Sequence, residues 1–122
     1  MSLSNYAENV VLDLLMAMVA SVGLSTADPG EDGSGLAEPS GMGYSRRAVT
    51  AADWNAAASG SVTNANKIEF LQATNNWGTL THLVLFDSSG NMLGSNALDL
   101  PAIVVGGDYP KFEAGELTIN AD

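Results

Sequence analysis

The 122 residues carry fourteen acids against four bases, for a formal charge of −10, and no cysteine. The missing cysteines exclude disulfides, thiolate metal sites and cysteine nucleophiles. The acidic balance argues against binding nucleic acid or an anionic membrane, since both need Lys and Arg. A chain of this length fits one domain that can bury a core without staples.

The first element is a helix over residues 4–16, capped by Ser4 or Asn5, with Glu8 three positions after Asn5. Tyr6, Ala7, Val10, Val11, Leu14 and Leu15 recur at helical spacing, and Leu12 and Met16 add apolar surface on another side. Asn5, Glu8, Asn9 and Asp13 mark a polar side. That is more apolar circumference than a one-sided surface helix needs. Two readings stay open: a helix deep in its own core, or one shared with another subunit. The longest apolar run, residues 10–24, is interrupted by Asp13, Ser21 and Gly23, too short for a membrane span. No base precedes it, so it does not read as a secretion signal.

A strand is expected over residues 18–25, weakened by Gly23. Residues 26–43 then form a loop holding Pro29, Pro39 and a run of glycines, with strong turn chemistry at its tip, residues 28–33. Loops longer than about 12–15 residues tend to be functional or disordered. This one, with Asp28, Pro29, Glu31 and Asp32 at its tip, is a candidate contact surface. Tyr44 opens a strand over residues 44–50, where Arg46 and Arg47 point to opposite faces. Either both pair with acids of their own domain, or one meets an acid on a neighbouring subunit.

Residues 53–66 read as loop with a turn of helix after Asp53. Short strands follow at 67–71, 78–86 and 92–98, the second most hydrophobic and central, and a hairpin loop spans 87–91. Pro101 is expected to break the chain before further short runs at 103–105, 110–112 and 116–120. The pattern predicts a mainly β chain: an antiparallel β-sandwich, jelly-roll or Ig-like, with one N-terminal α-helix. Residues 1–17 make the helix and residues 18–122 the sandwich.

Catalytic chemistry finds little support. His82 is the single histidine and has no second His or Cys with which to bind zinc. The acids Asp28, Glu31 and Asp32 lack the alternate spacing of a calcium loop. Gly41-Met42-Gly43 precedes a strand, whereas a phosphate-binding glycine motif follows one. No metal, cofactor or catalytic residue is expected. Trp54, Trp77, Tyr44, Tyr109 and Phe112 are either core aromatics or a sugar-stacking patch.

Three blocks of sequence carry a family resemblance. The first runs from the helix through Val22-Gly23-Leu24-Ser25-Thr26-Ala27-Asp28-Pro29-Gly30 and Gly33-Ser34-Gly35 to Gly43-Tyr44-Ser45-Arg46-Arg47-Ala48-Val49-Thr50. The second is Trp77-Gly78-Thr79-Leu80-Thr81-His82 with Leu85-Phe86-Asp87, and the third Phe112-Glu113-Ala114-Gly115-Glu116-Leu117-Thr118-Ile119. Together they resemble a family of small phage virion proteins usually labelled tail fibre proteins. Its members have a longer connection after the helix; here residues 16–19 run on almost directly, which leaves the helix orientation open.

The resemblance implies a non-enzymatic virion structural protein, assembled in the host cytoplasm. Compact size and the absence of repeats or a coiled-coil shaft favour a capsid decoration (cement) protein on the head. The alternative is a small tail or tail-fibre component contacting the host surface. The expected partners are the major capsid protein or another virion protein, together with sister copies, as a trimer. Tyr6, Val10, Leu14, Asp28, Pro29, Glu31, Asp32, Arg46 and Arg47 are the candidate interface residues.

Overall fold

The structure, a computed structural model, describes residues 2–121. One helix, α1 (Asn5–Met18), precedes eight strands: β1 (Ser21–Ser25), β2 (Arg47–Ala48), β3 (Ser61–Thr63), β4 (Ile68–Glu69), β5 (Gly78–Phe86), β6 (Met92–Val104), β7 (Lys111–Phe112) and β8 (Thr118–Asn120). A single 3-10 turn, Ala51–Asp53, lies between β2 and β3. Every strand pairing is antiparallel. The principal sheet has the order β2-β1-β5-β6, and two ribbons, β3-β8 and β4-β7, share its core. The expected mainly β architecture with one N-terminal helix is the one observed.

β5 is central because its sequence suits burial on both faces. Leu83, Val84, Leu85 and Phe86 are all buried, a continuous apolar run rather than an alternating one. The register with β1 sets Leu24 opposite Leu83 and Val22 opposite Leu85, on the face that joins the main core. Gly23 lies opposite Val84 on the other face. The two ribbons contribute Val62, Ile68 and Ile119 to the main core, and Leu117, just before β8, joins them.

Several elements depart from the sequence-based expectation. α1 continues to Met18, so the first strand starts only at Ser21. Ser4 is the N-cap; its side chain accepts from the Ala7 N–H. The strand expected from Tyr44 shrinks to Arg47–Ala48, which pair only with Ser21 and Val22. Pro101 does not end β6. β6 is an edge strand, where a missing N–H is tolerated. The chain bulges there, the pairing jumping from Leu80–Ala102 to His82–Ala97.

Residues 53–66, expected as loop, hold β3 and a bridge between Trp54 and Asn64. Asn64 is fully buried and acts as a polar staple. Its amide donates to the carbonyls of Asn66 and Glu113, and its Oδ1 accepts from the Leu117 N–H at 2.9 Å. Buried backbone groups of a turn need such partners, and Asn64 supplies them for the turn that connects β7 to β8.

Candidate functional site

The helix docks on the body by its polar side. Asn9 Oδ1 accepts from the Gly60 N–H at 3.0 Å, and Asp13 Oδ1 accepts from the Ala57 N–H at 2.8 Å. Between these two anchors Leu12 and Met16 enter the core. Leu12 and Met16 had marked the minor apolar side in the sequence. The main stripe faces outward instead: Tyr6 is 79% exposed, Leu14 65%, and Val10, Val11 and Met18 are exposed as well. Leu3, just before the cap, extends the apolar surface. Of the two readings left open by the sequence, a helix deep in its own core is excluded, because only two of its residues are buried.

The long loop behaves differently. It folds back on the end of β1, where Ser25 Oγ accepts from the Ala37 N–H at 3.0 Å and the Thr26 N–H donates to Ala37 O. Gly35 N donates to Pro29 O, and Pro29 is fully buried. Asp28 Oδ1 accepts from Gly30 N and Asp32 Oδ1 from Ser34 N, so both carboxylates are engaged in turns. The Ser34 backbone bond holds the Asp32 carboxyl below its ordinary value. Of the four tip candidates, Asp28, Glu31 and Asp32 remain exposed. Among the described residues no three His, Asp or Glu side chains form a metal-binding group.

The loop's far end is bolted to the second face of the sheet. Glu38 receives Arg46 Nη2 at 2.8 Å and also accepts from the Tyr44 hydroxyl. That hydroxyl in turn accepts from the Leu24 N–H, for which the short β2 has no residue to offer. The Arg46 guanidinium lies 3.4 Å from the centre of the Phe86 ring, a cation–π contact that caps this face. Burial, followed by the bond to Glu38, raises the Tyr44 hydroxyl above its ordinary value.

Gly23 makes the cluster possible. A Cβ there would stand 2.7 Å from the Tyr44 hydroxyl oxygen and 2.9 Å from Glu38 Oε2. The glycine that weakened the strand in the sequence is the seat of this network. Tyr44 also meets the Trp77 ring edge-on at 5.2 Å, and Trp77 Nε1 donates to Met42 O at 2.8 Å.

The paired arginines therefore part company. Arg46 is spent within the domain, while Arg47 is exposed and makes no ion pair among the described residues. Of the five aromatics weighed as a sugar-stacking patch, Trp54 and Trp77 are buried, Tyr44 and Phe112 pack against the core, and Tyr109 is exposed. Among the described residues no exposed stacking platform of several rings forms. His82 shares a hydrogen bond with the Thr81 hydroxyl at 2.8 Å, and its Nε2 lies 4.0 Å from Asp28 Oδ1.

Sequence reasoning missed a second apolar patch at the β6 bulge. Leu100 is 82% and Ile103 73% exposed, with Tyr109 close by in the chain segment before β7. The signal was Pro101 inside an apolar run, which marks an edge or a bulge. No helix among the described residues is long and apolar enough to cross a membrane.

No curated protein matches this sequence. A family model described as "Podophage GP4 fiber I protein gp80" matches residues 2–120, nearly the whole chain. The match takes in the outward helix, the fastened loop and both ribbons alike, and the chain therefore belongs to this phage fibre-type family of virion structural proteins.

Proposed function

We propose that the chain is a small, non-catalytic subunit of a phage fibre, mounted through the apolar side of α1 with its acidic body directed away from the mount. The observation that carries this reading is the inverted helix. Asn9 and Asp13 face the body, and Tyr6, Val10 and Leu14 face out. A contiguous apolar patch of this kind marks an interaction surface on a soluble protein. The body offers little else that does chemistry. Asp28 and Asp32 are engaged in turns, Glu38 is paired with Arg46 and Tyr44, and the histidine is bonded to a neighbouring hydroxyl.

A second reading, decoration of the capsid surface with the major capsid protein as partner, is favoured by one observation. Helix, sheet and ribbons share a single core, with no shaft between mount and body among the described residues. Cryo-EM or immunogold localisation on the intact particle separates the two. Density at the tail supports the fibre subunit. Density spread over the head overturns it in favour of decoration, with α1 and the 26–43 loop as docking candidates.

A further inference from the structure

We infer that the outer side of β6 docks an extended segment of another protein, one that carries Lys or Arg and inserts apolar side chains into two clefts beside Phe112. The site shares no residue with the outward face of α1 and does not rest on the mounting role given to that helix.

The clefts exist because the main sheet and the ribbons do not seal against each other. β6 ends its sheet, and no strand pairs with its outer side. β8 lies beside it without a ladder, bridged by the Asn96 side chain. The Asn96 amide donates to Thr118 O at 2.8 Å, and its Oδ1 accepts from the Asn120 N–H at 3.2 Å. Beyond Asn96 the bulge sets residues 98–101 against the single Thr81, and the seam opens. One cleft, of about 280 Å³, lies between Leu98 and Glu116, with Leu83 and Leu117 in its wall. The other, of about 310 Å³, lies between Ile103 and Tyr109, with Leu24 and Leu80 in its wall. Those four leucines are buried, so both clefts reach the core. Phe112 lines both. Small-molecule pockets run from about 300 to 1,000 Å³; clefts at the lower limit suit single side chains.

The surroundings select the occupant. Leu100, Ile103 and Tyr109 are exposed at the clefts and give an apolar approach. Asp99, Asp108 and Glu116 stand among them, and none forms an ion pair among the described residues. Asp108 accepts from the Val105 N–H and Glu116 from the Glu113 N–H, which fixes two of the carboxylates without cancelling their charge. The one base there, Lys111, is opposite Glu69 in the β4–β7 register. The rim is therefore acidic and calls for cations. A second copy is a poor source, with fourteen acids against four bases and Arg46 already engaged. Bulge, Pro101 and Asp99 are devices that keep sheet edges from pairing indiscriminately. Recognition therefore falls to the clefts. An extended segment sends alternate side chains into such pockets, and lysines at the intervening positions reach the rim with their long stems.

The probe is a fluorescein-labelled peptide of about nine residues alternating lysine with leucine. Fluorescence anisotropy with the full chain is expected to give a Kd below about 100 µM at about 0.02 M salt, weakening as salt rises. Leu100→Ser and Ile103→Ser together should weaken it about tenfold; both side chains are exposed, so folding is spared. Asp99→Lys should weaken it at least about threefold, and Glu31→Lys, the same charge change at the distant loop tip, less than about twofold. If Asp99→Lys alters the circular-dichroism spectrum, Asp99→Asn carries the charge test. Amide NMR shifts on titration should centre on residues 96–103 and 108–118. No binding at about 1 mM overturns the inference. So does equal binding of a peptide with serine in place of leucine, an equal loss in Glu31→Lys, or shifts centred on residues 6–14. The last result would assign the peptide to the helix stripe, and none of them bears on where the protein sits on the particle.

Discussion

Helix α1 and the 26–43 loop were both candidates for contact in the sequence, the loop the stronger, and the structure separates them. The loop is long and rich in glycine, yet it is fastened at several points along its length. Ser25, Ala37, Pro29 and Gly35 close it on itself, and Tyr44, Glu38 and Arg46 lock its end onto the sheet. The helix is regular and well capped, yet it leaves its most apolar side without a neighbour. Regularity and availability are thus separate properties. A loop becomes structural when its polar groups find partners inside the domain. A helix becomes an interface when its anchoring side chains lie on its polar side.

The strongest way to break this contrast is to unfasten the loop. Trp77 is buried, and its ring nitrogen holds Met42 O. The adjoining Gly43 has φ +82°, and a Cβ there would stand 2.3 Å from Gln72 O, so this strand of the loop has no slack. Trp77→Ala is expected to cost about 3–5 kcal/mol in urea unfolding. It should also raise hydrogen exchange through residues 41–44. A loss below about 1 kcal/mol would mean that the loop is held elsewhere and is freer than its bonds indicate.

The contrast within the helix is sharpened by two leucines two positions apart. Leu12 is buried and Leu14 is exposed. In dilute solution, Leu12→Ala should cost about 2–5 kcal/mol by leaving a cavity, whereas Leu14→Ala should stay within about 0.5 kcal/mol. Urea melts of both variants check this. Equal costs would place the stripe in the protein's own core and remove the basis for an external partner.

The sequence disclosed the helix, the central strand and the mainly β architecture because each rests on apolar periodicity or on a cap. It did not disclose which side of the helix faces in. Tyr6, Val10 and Leu14 are more apolar than the Asn9–Asp13 side, so counting hydrophobes assigns the wrong face to the core. Only the N–H groups of Gly60 and Ala57, far off in sequence and bonded by Asn9 and Asp13, reverse the assignment. The loop's fastening was hidden for the same reason. It depends on Glu38 meeting Tyr44, Arg46 and Leu24 in space, and a lone Glu between Ala37 and Pro39 gives no local sign of that. Asn64 looked like a turn residue in an Ala/Ser/Asn stretch, and its burial follows from the β7–β8 connection some fifty positions later. The two arginines divided along a line the sequence had allowed without deciding: Arg46 serves the domain and Arg47 stays free of ion pairs among the described residues.

Gly23 offers a smaller test on the loop side. An alanine methyl would displace the Tyr44 hydroxyl and the Glu38 carboxylate, both flexible ends rather than backbone. The cost of Gly23→Ala should therefore be about 1–3 kcal/mol, typical of overpacking, and smaller than that of Trp77→Ala. The Arg46 guanidinium should also lose its place over Phe86, which tryptic cleavage after Arg46 would report as faster cutting. A neutral outcome would show that the Tyr44–Glu38–Arg46 cluster can shift as a unit.

The mildest probe of the same cluster is pH, since it is silent under ordinary conditions. Burial, reinforced by the bond to Glu38, raises the Tyr44 hydroxyl above its ordinary value. In the unfolded chain a tyrosine loses its proton near pH 10, while folded Tyr44 keeps it to higher pH. Above about pH 10 the unfolded state therefore binds fewer protons than the folded state, and stability falls as pH rises further. Below that point both states hold the proton and the group contributes no pH dependence. Absorbance titration should show one of the three tyrosines resisting ionisation until the chain unfolds, and Tyr44→Phe should abolish that delayed step. If all three titrated together in the folded protein, Tyr44 would be open to water. The loop would then be as available as the helix, and the distinction between the two would vanish.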